Sequence, residues 1–328
     1  MSVIFFYMLI MLALISGNEI VFKGAHDGLM LWFNSVIPLL LPFMLISALI
    51  VEKIQNLPKE KQKSYAILIT LFTGIFCGYP LGAKNVSEFV KNKSYSKSTG
   101  EYLLPLCNNC SPMFLSGYII FSVLNKKITF FSAIALIYIP YLIYILCVIA
   151  INKTKSYIGQ NKSYSKSISN NDSLIGIKSN KEKKADTDSN KIVTSIIIQI
   201  TFVGFYIIIC SVISEYIMSI DVLSLINKVN FLHKIDLIQF NVEILVKAKT
   251  FLSGFTEITK GAMIIAQSSL FTEKHKTAII LSLTSFGGIS AILQTKSVID
   301  GLDISLKKYV IIKTICASAT YGLSLAFM

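Results

Sequence analysis

The residues best suited to chemistry in this chain are polar groups inside long apolar stretches. Glu257 lies within the apolar segment 249–270 and is followed by Thr259 and Gly261. A carboxylate in such a segment is costly and indicates a function, which here could be binding of a substrate donor, a coupling cation or a proton. The structural alternative is that Glu257 pairs with Lys260 on the next turn or lies in water at a hairpin tip.

A second group of polar side chains lies at residues 107–112. Asn108, Asn109 and Ser111 supply amide and hydroxyl groups, and Pro112 removes a helix donor and frees a carbonyl. These groups could coordinate a polar solute. They could also hydrogen-bond between helices, as such groups do in membrane bundles.

Two further interruptions combine glycine with polar residues. The stretch 78–84 ends in Lys84, which could hold an anionic substrate or extend to the membrane interface. The stretch 285–290 is followed one turn on by Gln294. The glycines fit either exposed backbone at a site or close packing of helices. The predicted transport pathway consists of Gly78, Tyr79, Pro80, Gly82, Lys84, Asn108, Asn109, Ser111, Glu257, Thr259, Gly261, Gly287, Gly288, Ser290 and Gln294.

The segments that carry these residues are predicted to be membrane helices. Of the 328 residues, 53% are hydrophobic and only 15% are charged, with a mean hydropathy of +0.64, outside the usual balance of soluble proteins. A bilayer core demands about 20 apolar residues. The first segment is followed by Gly17-Asn18-Glu19 rather than by a small-residue cleavage site, so we expect a retained helix. Nine segments are candidates: 3–16, 29–51, 65–83, 101–124, 128–151, 192–220, 249–270, 277–298 and 304–327.

The net charge of +13 indicates membrane topology rather than nucleic-acid binding. All 31 basic residues are Lys, and they lie mainly in the connections between apolar segments. Because the chain contains no Arg, a bidentate guanidinium clamp cannot hold a carboxylate or phosphate. An anion site would therefore use Lys, amides, hydroxyls or helix ends.

Catalysis and cofactor binding are not predicted. The three His are scattered in connections, and the sequence has neither a phosphate-binding loop nor a nucleophile elbow. Cys107 and Cys110 have the spacing of a redox pair, but no second pair and no nearby His accompany them. We therefore expect neither an enzyme nor a metal site.

The chain is predicted to have two membrane halves, 1–151 and 192–328. Residues 152–191 are rich in Lys, Ser and Asn and are expected to form a disordered, cytoplasmic linker that is solvated or touches anionic lipid headgroups. At an offset of 176 residues the halves match weakly, with Gly78 on Gly254, Lys84 on Lys260 and 108–112 on 284–288. Each half carries two polar interruptions, about 30 residues apart.

Paired interruptions of this kind are typical of transporters built from repeats, whose substrate site lies where broken helices meet. If segments 65–83 and 249–270 cross fully, the Lys-bearing stretches 52–64 and 152–191 fall on opposite sides. If both segments are re-entrant hairpins, the stretches 52–64, 84–100 and 152–191 share one face, which the positive-inside rule makes cytoplasmic. The same assumption makes the two halves inverted. We therefore predict an all-α integral membrane protein with about seven to nine hydrophobic segments in two inverted repeats and two re-entrant or broken hairpins.

The four interruptions also resemble a known family. Gly-Tyr-Pro-x-Gly-Ala-Lys at 78–84, Cys-Asn-Asn at 107–109, Glu-x-Thr-x-Gly at 257–261 and Phe-Gly-Gly-Ile-Ser at 286–290 look like the motifs of YlbJ-type sporulation integral membrane proteins, as does Ser-Val-Ile-Pro at 35–38. The resemblance extends over residues 29–325 and differs where the family has Ser-Gly-Pro and this chain has Cys110-Ser111-Pro112. It implies kinship with SpoVV-like proteins that carry the nucleoside-recognition Gate domain.

The resemblance implies transport of dipicolinic acid from the mother cell across the outer forespore membrane. Lys84 or Lys260, the two Asn amides, hydroxyls and half-helix N-termini would hold the dianion, and Glu257 would act as a coupling or gating group. The expected partners are this anion, the lipid bilayer and a coupling cation or proton, but no nucleic acid, and a homo-oligomer is left open. Two alternatives also stay open, a transporter of nucleoside-like or other small solutes and a non-transporting membrane scaffold.

Overall fold

The computed structural model describes residues 2–162, 185–221 and 242–328, and every regular element in these ranges is helical. This confirms the predicted all-α class. The first half contains α1 (Ser2–Ser16), α2 (Asn18–Leu31), the π-helical π1 (Trp32–Val36), α3 (Ile37–Gln55), α4 (Lys59–Cys77), α5 (Leu81–Lys91), α6 (Lys97–Cys107), the π-helical π2 (Phe114–Val123) and α7 (Phe130–Lys162). The second contains α8 (Ala185–Ser219), α9 (Val242–Thr256), α10 (Ile258–Gln267), α11 (Glu273–Phe286), α12 (Gly288–Ile299) and α13 (Leu306–Phe327).

Among the described residues, four helical stretches are long and apolar enough to cross a membrane, and a bent pair at 4–36 makes a fifth if it counts as one span. The predicted seven to nine segments are not confirmed. The reason is that breaks divide several apolar stretches into helices of 10 or 11 residues, such as α5, α6 and α10, which are too short to span alone. The four helical stretches of membrane length are Phe130–Ile151, Asn190–Ser219, Glu273–Ile299 and Leu306–Phe327.

Helices α7 and α8 extend into the stretch that the sequence assigns to a linker. Helix α7 continues to Lys162, and α8 begins at Ala185. The remaining part of the predicted linker, residues 163–184, lies outside the described residues.

Two pairs of helices form hairpins that glycines hold closely together. Helix α4 packs against α5, and α9 packs against α10. A Cβ on Gly82 would lie 3.1 Å from the Cα of Gly74, and a Cβ on Gly261 would lie 1.8 Å from the Cα of Gly254. Only residues without a side chain allow the backbones of the two arms to approach this closely.

The glycine contacts of the two hairpins do not follow the offset of the weak internal match. The offset of 176 residues places Gly78 on Gly254. In the structure Gly254 lies opposite Gly261, whereas Gly74 rather than Gly78 lies opposite Gly82. The inverted relation of the two halves stays a prediction.

The hydrophobic core joins the two halves. One cluster brings residues of π2 and α7 together with residues of α10 and α11. Another brings residues of α3 to α6 together with α12 and the start of α13. Each hairpin is thus packed against elements of the opposite half, so the breaks of both halves are held in one region of the molecule.

The hairpin packing predicts a severe effect for Gly261→Ala. The new Cβ would overlap backbone atoms of Gly254, and we expect a loss of about 3 kcal/mol in the free energy of unfolding. Thermal unfolding of the detergent-purified wild type and variant measures this loss of stability.

Gly322→Ala is the matched control, because a Cβ at Gly322 in α13 meets no atom of the described residues within 4 Å beyond its chain neighbours and its own helix backbone. We expect this variant to be neutral or more stable by up to about 1 kcal/mol, since alanine favours helix. Equal melting temperatures for the two variants would contradict the close approach of the hairpin arms.

Candidate functional site

A cavity of about 450 Å³ lies where the four breaks meet. Its volume is typical of small-molecule sites, which span roughly 300–1,000 Å³. Apolar residues of α2, π1, α3 and α8 complete the wall. Seven residues predicted from the sequence line the cavity, and at least one comes from each break: Tyr79, Ser111, Glu257, Thr259, Gly287, Ser290 and Gln294.

The second helix of each broken segment begins at this cavity. Helix α5 follows Tyr79 and Pro80, π2 follows Ser111, α10 follows Glu257, and α12 follows Gly287. The N-terminus of a helix carries a partial positive charge and unpaired N–H groups. Glu257 caps α10, and Ser111 accepts a hydrogen bond from the N–H of Phe114 in π2. The ends of α5 and α12 have no side-chain cap and can therefore stabilise an anion or an electronegative group of a solute.

Glu257 is the N-cap of α10 and lines the cavity while being only 3% exposed. Its Oε2 accepts a hydrogen bond of 2.8 Å from the backbone N–H of Lys260. The carboxylate is therefore stabilised by the end of its own helix rather than by a lysine side chain.

The ammonium of Lys260 points to other partners. Its Nζ donates to the carboxylates of Glu215 on α8 and Asp27 on α2, the latter at 3.1 Å. Lys23 also binds Glu215, at 2.6 Å. The side-chain pair of Glu257 with Lys260, which the sequence offers as the structural alternative, is thus not formed, and Lys260 connects α10 to α2 and α8.

Lys84 is buried, but it does not line the cavity. Its Nζ lies 3.8 Å from Oε1 of Glu88, one turn further along α5. The predicted cation for an anionic substrate is therefore directed along its own helix. Neither Lys84 nor Lys260 is among the lining residues.

Asn108 and Asn109 are completely buried beside the cavity and are not part of its lining. Nδ2 of Asn108 donates to Oγ1 of Thr295 at 2.7 Å and to the hydroxyl of Tyr309 at 2.8 Å. Nδ2 of Asn109 donates to the carbonyl of Leu106 at 2.9 Å, at the end of α6. The structure thus favours the alternative in which these amides bond between and within helices.

The remaining predicted residues shape the breaks through their backbone. Gly78 has φ of 80° and packs beside Ser111 and the carbonyl of Asn109. A Cβ on Gly288 would lie 3.2 Å from the carbonyl of Phe255. None of these residues contributes to the lining: Gly78, Pro80, Gly82, Gly261 and Gly288.

Two residues near the site are not among those predicted. Tyr118 of π2 lines the cavity, and its hydroxyl donates to the carbonyl of Thr259 at 2.7 Å. Its sequence context is an ordinary apolar run, so no signal distinguishes it. Lys313 is 1% exposed on α13, and a lysine inside segment 304–327 is a signal of the same kind as Glu257.

Comparison with known proteins supports a membrane location. The chain is similar to a sporulation membrane protein. That relative, from Bacillus subtilis (strain 168), is named sporulation integral membrane protein YlbJ and is 23% identical over 329 residues, covering 93% of this chain and 77% of its own length. No protein-family model matches the chain, and neither does any solved structure. With its apolar helices, this chain is an integral membrane protein, and the relative supports the resemblance to YlbJ-type proteins.

The cap at Glu257 predicts different outcomes for two substitutions. Glu257→Ala leaves the N–H of Lys260 without its acceptor, and we expect a loss of about 1 kcal/mol in the free energy of unfolding. Glu257→Gln keeps a side-chain oxygen and should unfold close to the wild-type temperature. Thermal unfolding in detergent compares them, and equal losses in both variants would show that the charge, not the hydrogen bond, stabilises α10.

Proposed function

We propose that this chain carries a small solute across a membrane of the sporulating cell. The observation that carries the proposal is the cavity between four helix breaks, with the N-terminus of a helix at each break. Secondary transporters bind substrate at interruptions of this kind, because the broken backbone supplies polar groups inside the bilayer. The name of the similar Bacillus subtilis protein supports a role in sporulation.

Dipicolinate is the first candidate substrate, and it would be transported from the mother cell to the forespore. Its two carboxylates could accept hydrogen bonds at the N-termini of α5 and α12, neither of which has a side-chain cap. The hydroxyls of Thr259 and Ser290 and the amide of Gln294 add polar contacts at the wall. The outer forespore membrane is the location that fits this direction.

The negative charge of Glu257 conflicts with the binding of a dianion in this cavity. Its carboxylate lines the same cavity and lacks an ion pair within the described part of the chain. Like charges at short distance repel strongly in a desolvated site. We propose that Glu257 binds a proton or a cation together with the anion, which makes it the coupling group.

A nucleoside-like solute is the second candidate, because the lining favours a neutral molecule with an aromatic ring. Among the described residues, the lining contains the rings of Tyr79, Phe114 and Tyr118 but no lysine. Glu257 and Gln294 could hydrogen-bond the hydroxyls and amides of such a solute. This candidate uses the same cavity and needs no additional charge at Glu257.

The test is uptake by liposomes that contain the purified protein. We expect saturable uptake of labelled dipicolinate, and we expect Glu257→Gln to lower the initial rate at least about tenfold, equivalent to roughly 1.4 kcal/mol. Glu273→Gln is the matched control, because Glu273 is exposed at the start of α11, away from the cavity, and pairs with Lys127 and Lys276. Its rate should equal that of the wild type.

The outcomes separate the candidates. Competition by nucleosides, with no uptake of dipicolinate, would favour the second candidate. Absence of flux for both solutes would remove the transport proposal and favour a membrane scaffold. In a sporulating host, spores of the Glu257→Gln strain with normal dipicolinate content would remove Glu257 from the mechanism.

A further inference from the structure

Lys313 is a buried cation that neither the cavity nor the proposed substrate uses. It lies in the first half of α13, within a membrane span, and is 1% exposed. A lysine in such a position is costly unless its ammonium is paired or coordinated. Among the described residues, no ion pair includes Lys313. Its environment must therefore stabilise the ammonium with neutral groups.

Those neutral groups come mainly from the break between α6 and π2. Nζ of Lys313 donates to Oδ1 of Asn109 at 2.6 Å and to the backbone carbonyl of Asn108 at 3.3 Å. On another side the ammonium lies 5.1 Å from the ring centroid of Tyr141, a cation–π distance. The ammonium is thus held by a side-chain amide oxygen, an unwound backbone carbonyl and an aromatic face.

This coordination is chemically that of a small monovalent cation. Carbonyl and amide oxygens are the ligands that hard cations take. Unwound carbonyls of broken helices bind the coupling Na⁺ in many transporters. Here a covalently attached ammonium already occupies the oxygens at the break.

The group that holds the ammonium lies next to the cavity, because the chain continues from Asn109 directly into Cys110 and Ser111, which line it. The break also contains a free acceptor. Oδ1 of Asn108 is buried and has no hydrogen-bond partner in the described part of the chain. The break therefore holds one more oxygen acceptor than Lys313 and its neighbours use.

We infer that Lys313 is a built-in cation, which takes the place of an external Na⁺ or K⁺ at the break between α6 and π2. Its consequence for the transport cycle rests on the proposed function: solute uptake requires no external alkali cation at this position. The site itself does not depend on that function, because it concerns the stability of the folded chain.

Lys313→Ala should convert this position into a site for a cation from solution. The substitution leaves the oxygens of Asn108 and Asn109 without their donor and opens the space of the lysine side chain. We expect the variant to melt below the wild type in choline chloride and to regain about 4 °C or more in NaCl, KCl or NH₄Cl. The wild type should melt at the same temperature in all four salts.

Lys313→Met is the matched control, because methionine fills the space with an apolar chain and admits no ion. It should melt below the wild type and show no difference between choline chloride and the other salts. An unresponsive Lys313→Ala variant, or a Lys313→Met variant that responds equally, would overturn the inference.

The wild type tests the inference without any variant, in case Lys313→Ala does not fold. Without solute it should melt at the same temperature in NaCl, KCl and choline chloride, and a rise of about 4 °C or more in either alkali chloride would overturn the inference, because the folded chain would then bind a cation from solution. The melting experiment contains no solute, so its outcome is independent of whether dipicolinate is transported. Failure of the transport proposal and failure of the cation site are thereby distinguished.

Discussion

The structure depends on one constraint, which is that backbone groups freed at helix breaks in an apolar interior must find partners. The first two breaks satisfy each other, because the N–H of Tyr79 donates to the carbonyl of Asn109 at 2.9 Å. At the third break, the hydroxyl of Tyr118 on π2 donates to the carbonyl of Thr259. Beside the fourth, the hydroxyl of Tyr141 on α7 donates to the carbonyl of Ser285 at 2.8 Å. Each break therefore depends on a hydrogen-bond partner from another part of the chain.

The positions of the breaks could be predicted from the sequence, because Gly, Pro and polar residues interrupt apolar runs in a way that composition alone reveals. The structure has helix ends within all four predicted interruptions, and Glu257, Thr259 and Ser290 line the cavity where those breaks meet. The all-helical class could be predicted for the same reason, since apolar runs of this length leave helices as the satisfied backbone structure. The number of full membrane spans could not be predicted, because hydropathy does not distinguish a helix that crosses the membrane once from a re-entrant hairpin.

The direction of the side chains at the breaks could not be predicted either. Lys84 and Asn108 are next to the site in sequence, but one is directed along its own helix to Glu88 and the other bonds to Thr295 and Tyr309. Which way a side chain points at an irregular backbone is set by partners from distant parts of the chain. Lys313 illustrates the same limit, because its ligands Asn108 and Asn109 precede it by about 200 residues.

Gly74 and Gly82 explain how the first two breaks can lie this close together. The carbonyl of Cys107, at the end of α6, would lie 2.1 Å from a Cβ on Gly74 and 1.9 Å from a Cβ on Gly82. The end of one broken segment thus inserts between the arms of the first hairpin, and the following residues Asn108 and Asn109 are presented to α13 and to Lys313. A movement of that hairpin would withdraw its arms from Cys107 and disturb the oxygens that hold the lysine. The packing of the hairpin and the coordination of the buried cation are therefore coupled through one short stretch of irregular backbone.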